Sequence, residues 1–246
     1  MLLETLRADG LLSFAPGSSE IPLRPLNVII GPNGSGKSNL IEAIELLHAT
    51  PTGLAAAICD GGGIREWLWK GNGGAPGTLE TRLARPGRSS LRYRLTFAAT
   101  GARTEVIDEA LEEAERRSAD ATDMDFYYRY VDGRPTLRMN QAALDANLRP
   151  TTLMFQISVT LQREGLAIDE SILSQRKDPD SYPELGWCAS QFSRIQIFRE
   201  WGFGRYTALR QPQPADLPND VLLPDARNLG LILNQLEHSD ASAELN

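Results

Sequence analysis

The stretch from Leu26 to Leu40 constrains this chain more than any other. An apolar run, Val28 to Ile30, reads as a buried strand that ends at Gly31. Gly31, Gly34, Gly36, Lys37 and Ser38 then satisfy G-x-x-x-x-G-K-[ST], the phosphate-binding loop. Leu40, Ile41, Ile44 and Leu47 recur at helical spacing beyond it, with Asn39, Glu42, Glu45 and His48 between them. Strand, glycine loop and helix follow one another as the motif requires. From background residue usage, a chance match in a chain this long has odds of about one in a hundred.

Each residue type has a physical reason. Glycines reach positive φ and allow close backbone approach, so that consecutive amide N–H groups can surround phosphate oxygens. The amino end of the following helix adds partial positive charge toward the same anion. Lys37 would reach the β- and γ-phosphates, and the Ser38 hydroxyl would bind Mg²⁺. The neighbours Asn33, Ser35 and Asn39 complete the stretch that would lie against ATP.

Composition narrows the setting. The chain has 246 residues, long enough for one large domain or two small ones. Apolar residues make up 41% and charged residues 23%, in the range of a soluble globular protein. A net charge of −7 argues against a protein that coats nucleic acid wholesale, while leaving room for a local basic groove. Cys59 and Cys188 lie far apart without metal-ligand spacing, and His48 and His238 are the only histidines. That inventory argues against a histidine-rich metal centre or a histidine-based triad. The amino terminus lacks a basic n-region followed by a long apolar stretch, and no run approaches the roughly 18 apolar residues of a membrane span. These features predict a cytoplasmic protein with no membrane partner.

The remaining chain divides by periodicity. Leu2 to Leu6 and Leu11 to Phe14 flank Asp9-Gly10 as a hairpin would, and Glu20 to Arg24 continues in extended form at an edge. The helix after the phosphate loop should stop near His48 to Thr50, before Pro51 and Gly53. Residues 53–77 are glycine-rich without a second Gly-Lys-Ser and read as a flexible loop, in which Arg65 is the one group that could reach a nucleotide. From Thr78 the period changes to two: Leu79, Thr81 and Leu83, then Leu91, Tyr93, Leu95 and Phe97, alternate with polar residues across a Pro86-Gly87-Arg88 turn. Arg103 to Ile107 adds a strand, Glu109 to Arg117 reads as a short helix or a solvated strand end, and Phe126 to Met139 is a hairpin about Asp132-Gly133. Residues 78–140 thus predict an antiparallel β insertion. Tyr127, Tyr128, Arg129, Tyr130, Arg134 and Arg138 interleave rings and cations as single-strand nucleic-acid surfaces do, but tyrosine is also a good strand former and no lysines cluster nearby. Phe155 to Leu161 and Ile195 to Phe198 are strand candidates, Tyr182 to Phe192 is helical with Pro183 in its first turn, and Asp225 is a candidate cap for a last helix carrying Leu229, Ile232, Leu233 and Leu236.

Half of a nucleotide site is missing from this inventory. A P-loop ATPase also needs an acid at the end of a second buried strand to hold Mg²⁺, and a group that orients the attacking water. Val221 to Asp225 comes nearest, yet Pro224 cannot donate to a central ladder and Ala226 follows. Ile195 to Phe198 runs into Arg199 and Glu200 and fails too.

The run from Gly31 to Ala43 resembles the loop of ABC-class ATPases of the SMC, RecF and OLD-like group. In that group the loop commonly reads G-x-N-G-x-G-K-S with Asn and Leu after it. Glu170 to Gln175, Ile197 to Arg205 and Leu217 to Asn234 resemble stretches of a bacterial branch of AAA-type or ABC-like ATPases. The resemblance implies an α/β, P-loop NTPase (ABC-ATPase-like) lobe with an antiparallel β subdomain, incomplete at the C-terminus. Its parts would be a P-loop β/α core at 1–52, the Gly-rich loop at 53–77, the β subdomain at 78–168 and a mixed α/β segment at 169–246. It also implies that Gln175 contacts Mg²⁺ and the attacking water as a catalytic group beside Lys37, and that ATP is sandwiched between two such domains. The Walker B Asp-Glu, the signature motif and the switch histidine are not found. The chain would therefore be a fragment, a truncated product, or one partner of a completing chain or homodimer. Hydrolysis would then drive DNA maintenance or a phage-defence effector, with DNA contact possible. A kinase or a non-hydrolysing, nucleotide-sensing interaction module are the rival readings.

Overall fold

The computed structural model describes residues 3–115, 125–131, 134–140, 156–161, 165–199, 201–202 and 204–238. Two compact units divide the chain, residues 1–195 and 196–246.

The first unit is built on an eight-stranded sheet. Its strands are β1 (Leu3–Asp9), β2 (Ile21–Pro22), β3 (Gly77–Arg85), β4 (Arg88–Thr100), β5 (Arg103–Glu113), β6 (Phe126–Val131), β7 (Arg134–Asn140) and β8 (Gln156–Thr160). They lie in the order β2-β1-β3-β4-β5-β6-β7-β8, and each neighbouring pair is antiparallel. The period-two pattern sets the faces, because successive side chains of a strand point to opposite sides. Leu79, Thr81 and Leu83 on β3 and Leu91, Tyr93, Leu95 and Phe97 on β4 are all buried. Gly87, at φ +71, makes the tight turn between these two strands.

Helices cover the apolar face. They are α1 (Lys37–Ala49), α2 (Leu54–Asp60), α3 (Ile64–Trp67), α4 (Ile172–Gln175) and α5 (Pro183–Ser193). Leu46 and Leu47 of α1, Leu54 and Ile58 of α2, Trp67 of α3 and Leu185 and Phe192 of α5 join the sheet residues in one hydrophobic core. The opposite face is charged but paired: Arg92 with Glu112 and Arg94 with Asp108 across β4 and β5, Arg138 of β7 with Asp125 just before β6, and Arg7 with Asp9 within β1.

Several sequence expectations need correction. Val28 to Ile30 is not a buried strand: the segment joins no strand, and Leu26, Val28 and Ile30 are 80%, 79% and 88% exposed. A strand apolar on both sides is stable only between neighbours, and the eight described strands form an antiparallel ladder that leaves it no place. The proposed hairpin about Asp9-Gly10 is absent, because β1 pairs with β2 and β3 while Leu11 and Phe14 share a single bridge. Residues 53–77 are not a flexible loop but carry α2, α3 and a short 3₁₀ turn at Lys70–Asn72. Their glycines mark helix ends: Gly53 and Gly63 precede α2 and α3, Gly61 follows α2, and Gly63 stands at φ +89. Glu109 to Glu113 is neither helix nor solvated end but a strand segment with buried acids. Ile195 to Phe198 forms no strand. The Asp132-Gly133 turn lies outside the described residues. The helix expected over Tyr182 to Phe192 and the edge strand near Pro22 are present, and a strand at Gln156–Thr160 lies within the expected Phe155 to Leu161, of which Phe155 is outside the described residues.

In the second unit, α6 (Leu229–Glu237) is preceded by Asn228, not by a cap at Asp225. Asp225 instead accepts from the Arg227 amide in a local turn. Gln213 supplies the acceptor at the helix start, taking the Leu231 N–H at 3.3 Å. The buried Asn228 amide donates to Pro218 O and Val221 O and accepts from Leu223 N, which pins the loop before the helix. No helix among the described residues is long and apolar enough to cross a membrane.

Candidate nucleotide site

The phosphate-binding loop leads directly into α1. Gly34 and Gly36 stand at φ +81 and +88, the left-handed conformations that the motif's glycines permit. Leu40 N–H bonds to Gly36 O at 3.0 Å and opens the helical ladder. A Cβ on Gly36 would fall 2.7 Å from the Ser13 hydroxyl, so the loop is packed against the turn after β1 and has no room for a side chain there.

Lys37 ties the loop together. Its Nζ donates to Gly31 O at 2.8 Å, to Pro32 O at 2.6 Å and to Ser35 Oγ at 3.4 Å. Ser38 is exposed at the first turn of α1, and no acid stands in that turn to compete with an anion. Asn33, Gly34 and Ser35 are exposed beside it, and Asn39 is half-buried. The arrangement can bind an anion: free amide N–H groups at a helix amino end, one primary ammonium and one hydroxyl. Among the described residues no group of three or more His, Cys, Asp or Glu could hold a metal by itself. A magnesium ion, which keeps waters and substrate phosphates in its shell, needs no such cage, and the exposed Ser38 hydroxyl fits as a protein ligand.

Gln175 ends α4, and its side chain is engaged by its own segment. Oε1 accepts from Ala167 N at 2.7 Å, and Nε2 donates to Ala167 O, Glu170 O and Ser171 O. Glu170, in the same segment, accepts from the Leu54 and Ala55 amides and so caps α2. Arg65 sits exposed on α3. Asp225 is exposed in the second unit and ends no strand.

One group escaped the sequence reading. Glu109 on β5 is buried, with its Oε1 accepting from Tyr93 Oη at 2.7 Å and Ser171 Oγ at 2.5 Å, and its Oε2 accepting from Ile172 N at 2.8 Å. Burial pushes its carboxyl up to about 7, against the three donors that favour the ionised form. The Cys188 thiol and Tyr93 hydroxyl are pushed up for the same reason, with the Glu109 charge adding to both. The available signal was parity: Glu109 and Glu113 stand two residues either side of Leu111 and so share its inward face.

Three aromatic residues of β6 are covered. Phe126, Tyr127 and Tyr128 are buried, Tyr127 donates to Glu113, and the Phe126 ring lies under the guanidinium groups of Arg129 at 4.1 Å and Arg138 at 4.5 Å. They offer no exposed stacking platform.

A family model described as "AAA domain, putative AbiEii toxin, Type IV TA system" matches residues 26–135. That span runs from the apolar segment before the phosphate loop through α1 to β7. The match supports a P-loop ATPase-like, nucleotide-binding protein of the AAA/ABC-like superfamily, whose members generally bind ATP with Mg²⁺. No curated protein matches the chain.

Proposed function

We propose that this chain binds ATP and Mg²⁺ through residues 31–39 and acts as the Walker A half of an ABC-like ATPase. Gly34 and Gly36 let the backbone turn around the phosphates, Lys37 exchanges its carbonyl partners for phosphate oxygens, and Ser38 holds the metal. Bound nucleotide supplies the scissile phosphoanhydride, and the protein positions it. The observation that carries the reading is a phosphate loop with its glycines in left-handed geometry, opening a helix whose first turn holds no acid.

Hydrolysis requires a second half. Leu26, Val28 and Ile30 are apolar and exposed immediately before the loop, which supports a completing strand contributed by another segment or chain, or by dimerisation. In that assembly Gln175, at the end of a segment tied to Glu109 and to α2, is the proposed group for the attacking water. The family description names a toxin of a type IV toxin–antitoxin system, which supports an effector driven by the nucleotide cycle; DNA maintenance or phage defence is the proposed setting. A nucleotide-sensing module without turnover is the second reading, favoured because no described strand carries four consecutive apolar residues running into Asp-Glu.

Titration with a fluorescent ATP analogue, paired with a phosphate-release assay, tests this. Saturable Mg²⁺-dependent binding should weaken at least a hundredfold in Lys37→Ala, with no turnover by the chain alone. Turnover by the isolated chain would remove the half-site reading, and absence of binding would remove the proposal.

A further inference from the structure

A cavity of about 320 Å³ opens between the β3–β4 turn and the first two turns of α5. It is large enough for one small organic ligand. Its apolar lining is the buried Leu91, the half-buried Trp187 ring, whose indole N–H is a donor, and Pro86 and Pro183, neither of which has an N–H to offer.

Besides Arg85, two charged side chains line it. Glu184 stands three residues before Trp187 on α5, so the carboxylate and the indole share one helix face. Arg88, exposed at the start of β4, approaches from the other side. Neither forms an ion pair or hydrogen bond with another described residue. The remaining cation, Arg85, is already neutralised: its Nη2 bonds both Glu113 oxygens at 2.7 Å, and its Nε donates to Ser89 O. Burial tends to lower its pKa, but the Glu113 contact more than offsets this, so Arg85 stays charged and fixed as a wall.

The cavity is remote from the phosphate loop. Gly77, at the other end of β3, packs on Leu11 in the turn whose Ser13 meets Gly36. At about 3.3 Å per residue, the nine residues of β3 place Arg85 roughly 25 Å from that end.

We propose that this cavity is a second ligand site, separate from the P-loop, for a purine nucleoside monophosphate. The ring plane lies on Trp187, the carboxylate of Glu184, an acceptor only, takes the exocyclic amine, and Arg88 takes the phosphate. A pyrimidine flanked by two carbonyls would set an oxygen against Glu184 and cover less of the indole.

Titration of AMP and GMP into the full chain, followed by tryptophan fluorescence and calorimetry, tests the assignment. Saturable binding of at least one of them should be reduced tenfold or more in Arg88→Ala and in Glu184→Ala, and kept in Lys37→Ala. Uridine monophosphate and ribose 5-phosphate should bind tenfold more weakly than the purine nucleotide. Arg88 lies at the surface, so its removal leaves the core intact, and circular dichroism of Glu184→Ala verifies α5. A short single-stranded oligoadenylate arm distinguishes the source: weaker binding than AMP assigns the site to free nucleotide, and tighter binding overturns that assignment in favour of a nucleic-acid base. No saturable binding overturns the proposal. So does binding lost in Lys37→Ala but retained in Arg88→Ala, and so does equal binding of ribose 5-phosphate.

Discussion

Single residues differ most in what surrounds them. Lys37 is half-buried and Ser38 exposed at the start of α1, and the roles proposed for them follow from residue type and spacing. Glu109 is the opposite case, a carboxyl defined wholly by its neighbours Tyr93 on β4 and Ser171 and Ile172 at the start of α4. With its carboxyl raised from 4.5 to about 7 on folding, it holds its proton in the folded chain at pH values where the unfolded chain has ionised. Stability from this group is therefore complete below about pH 4.5 and is lost as pH rises toward 7. A tenfold change in proton affinity is worth about 1.4 kcal/mol, so the loss reaches up to about 3 kcal/mol. Melting temperatures of wild type and Glu109→Gln between pH 5 and 7.5 check this. The wild type should lose stability relative to the variant across that range, and parallel curves would contradict it.

At the scale of elements, two stretches that both read as buried strands have unlike fates. Leu79 and Leu83 on β3 are fully buried, whereas Val28 and Ile30 are not. Leu79→Ala should cost about 2–5 kcal/mol, and Val28→Ser less than about 0.5 kcal/mol, in urea unfolding of this chain. An equal cost at both sites would mean that residues 26–30 are covered in solution. Alternation made β3 and β4 legible, because one buried face leaves a period of two in the sequence. Continuous apolarity at 28–30 states only that both faces want cover, not what supplies it. The helices at 54–60 and 64–67 were illegible because their bounding glycines resemble those of a loop, and cap geometry exists only once the chain is folded.

Across the whole molecule, the antiparallel sheet and its helices lie within residues 1–195, and the segment from 196 forms its own unit around Asn228 and α6. A chain ending at Ile195 should retain the cooperative unfolding and the Lys37-dependent nucleotide binding of the full chain. Calorimetry and the same fluorescent titration check this, and a loss of either would show that the first unit needs the second. The sequence by itself determined the phosphate loop, the helix behind it and the β insertion, because each is written in local spacing: glycines at fixed offsets, apolar residues at a period near four or at two. Only the tertiary structure decided that β1 joins the insertion's sheet, that the apolar segment before the loop stands unpaired, and that Glu109 is buried beneath the segment carrying Gln175. Those outcomes depend on which distant segments compete for the same backbone hydrogen bonds and apolar cover, and local spacing carries no record of that competition.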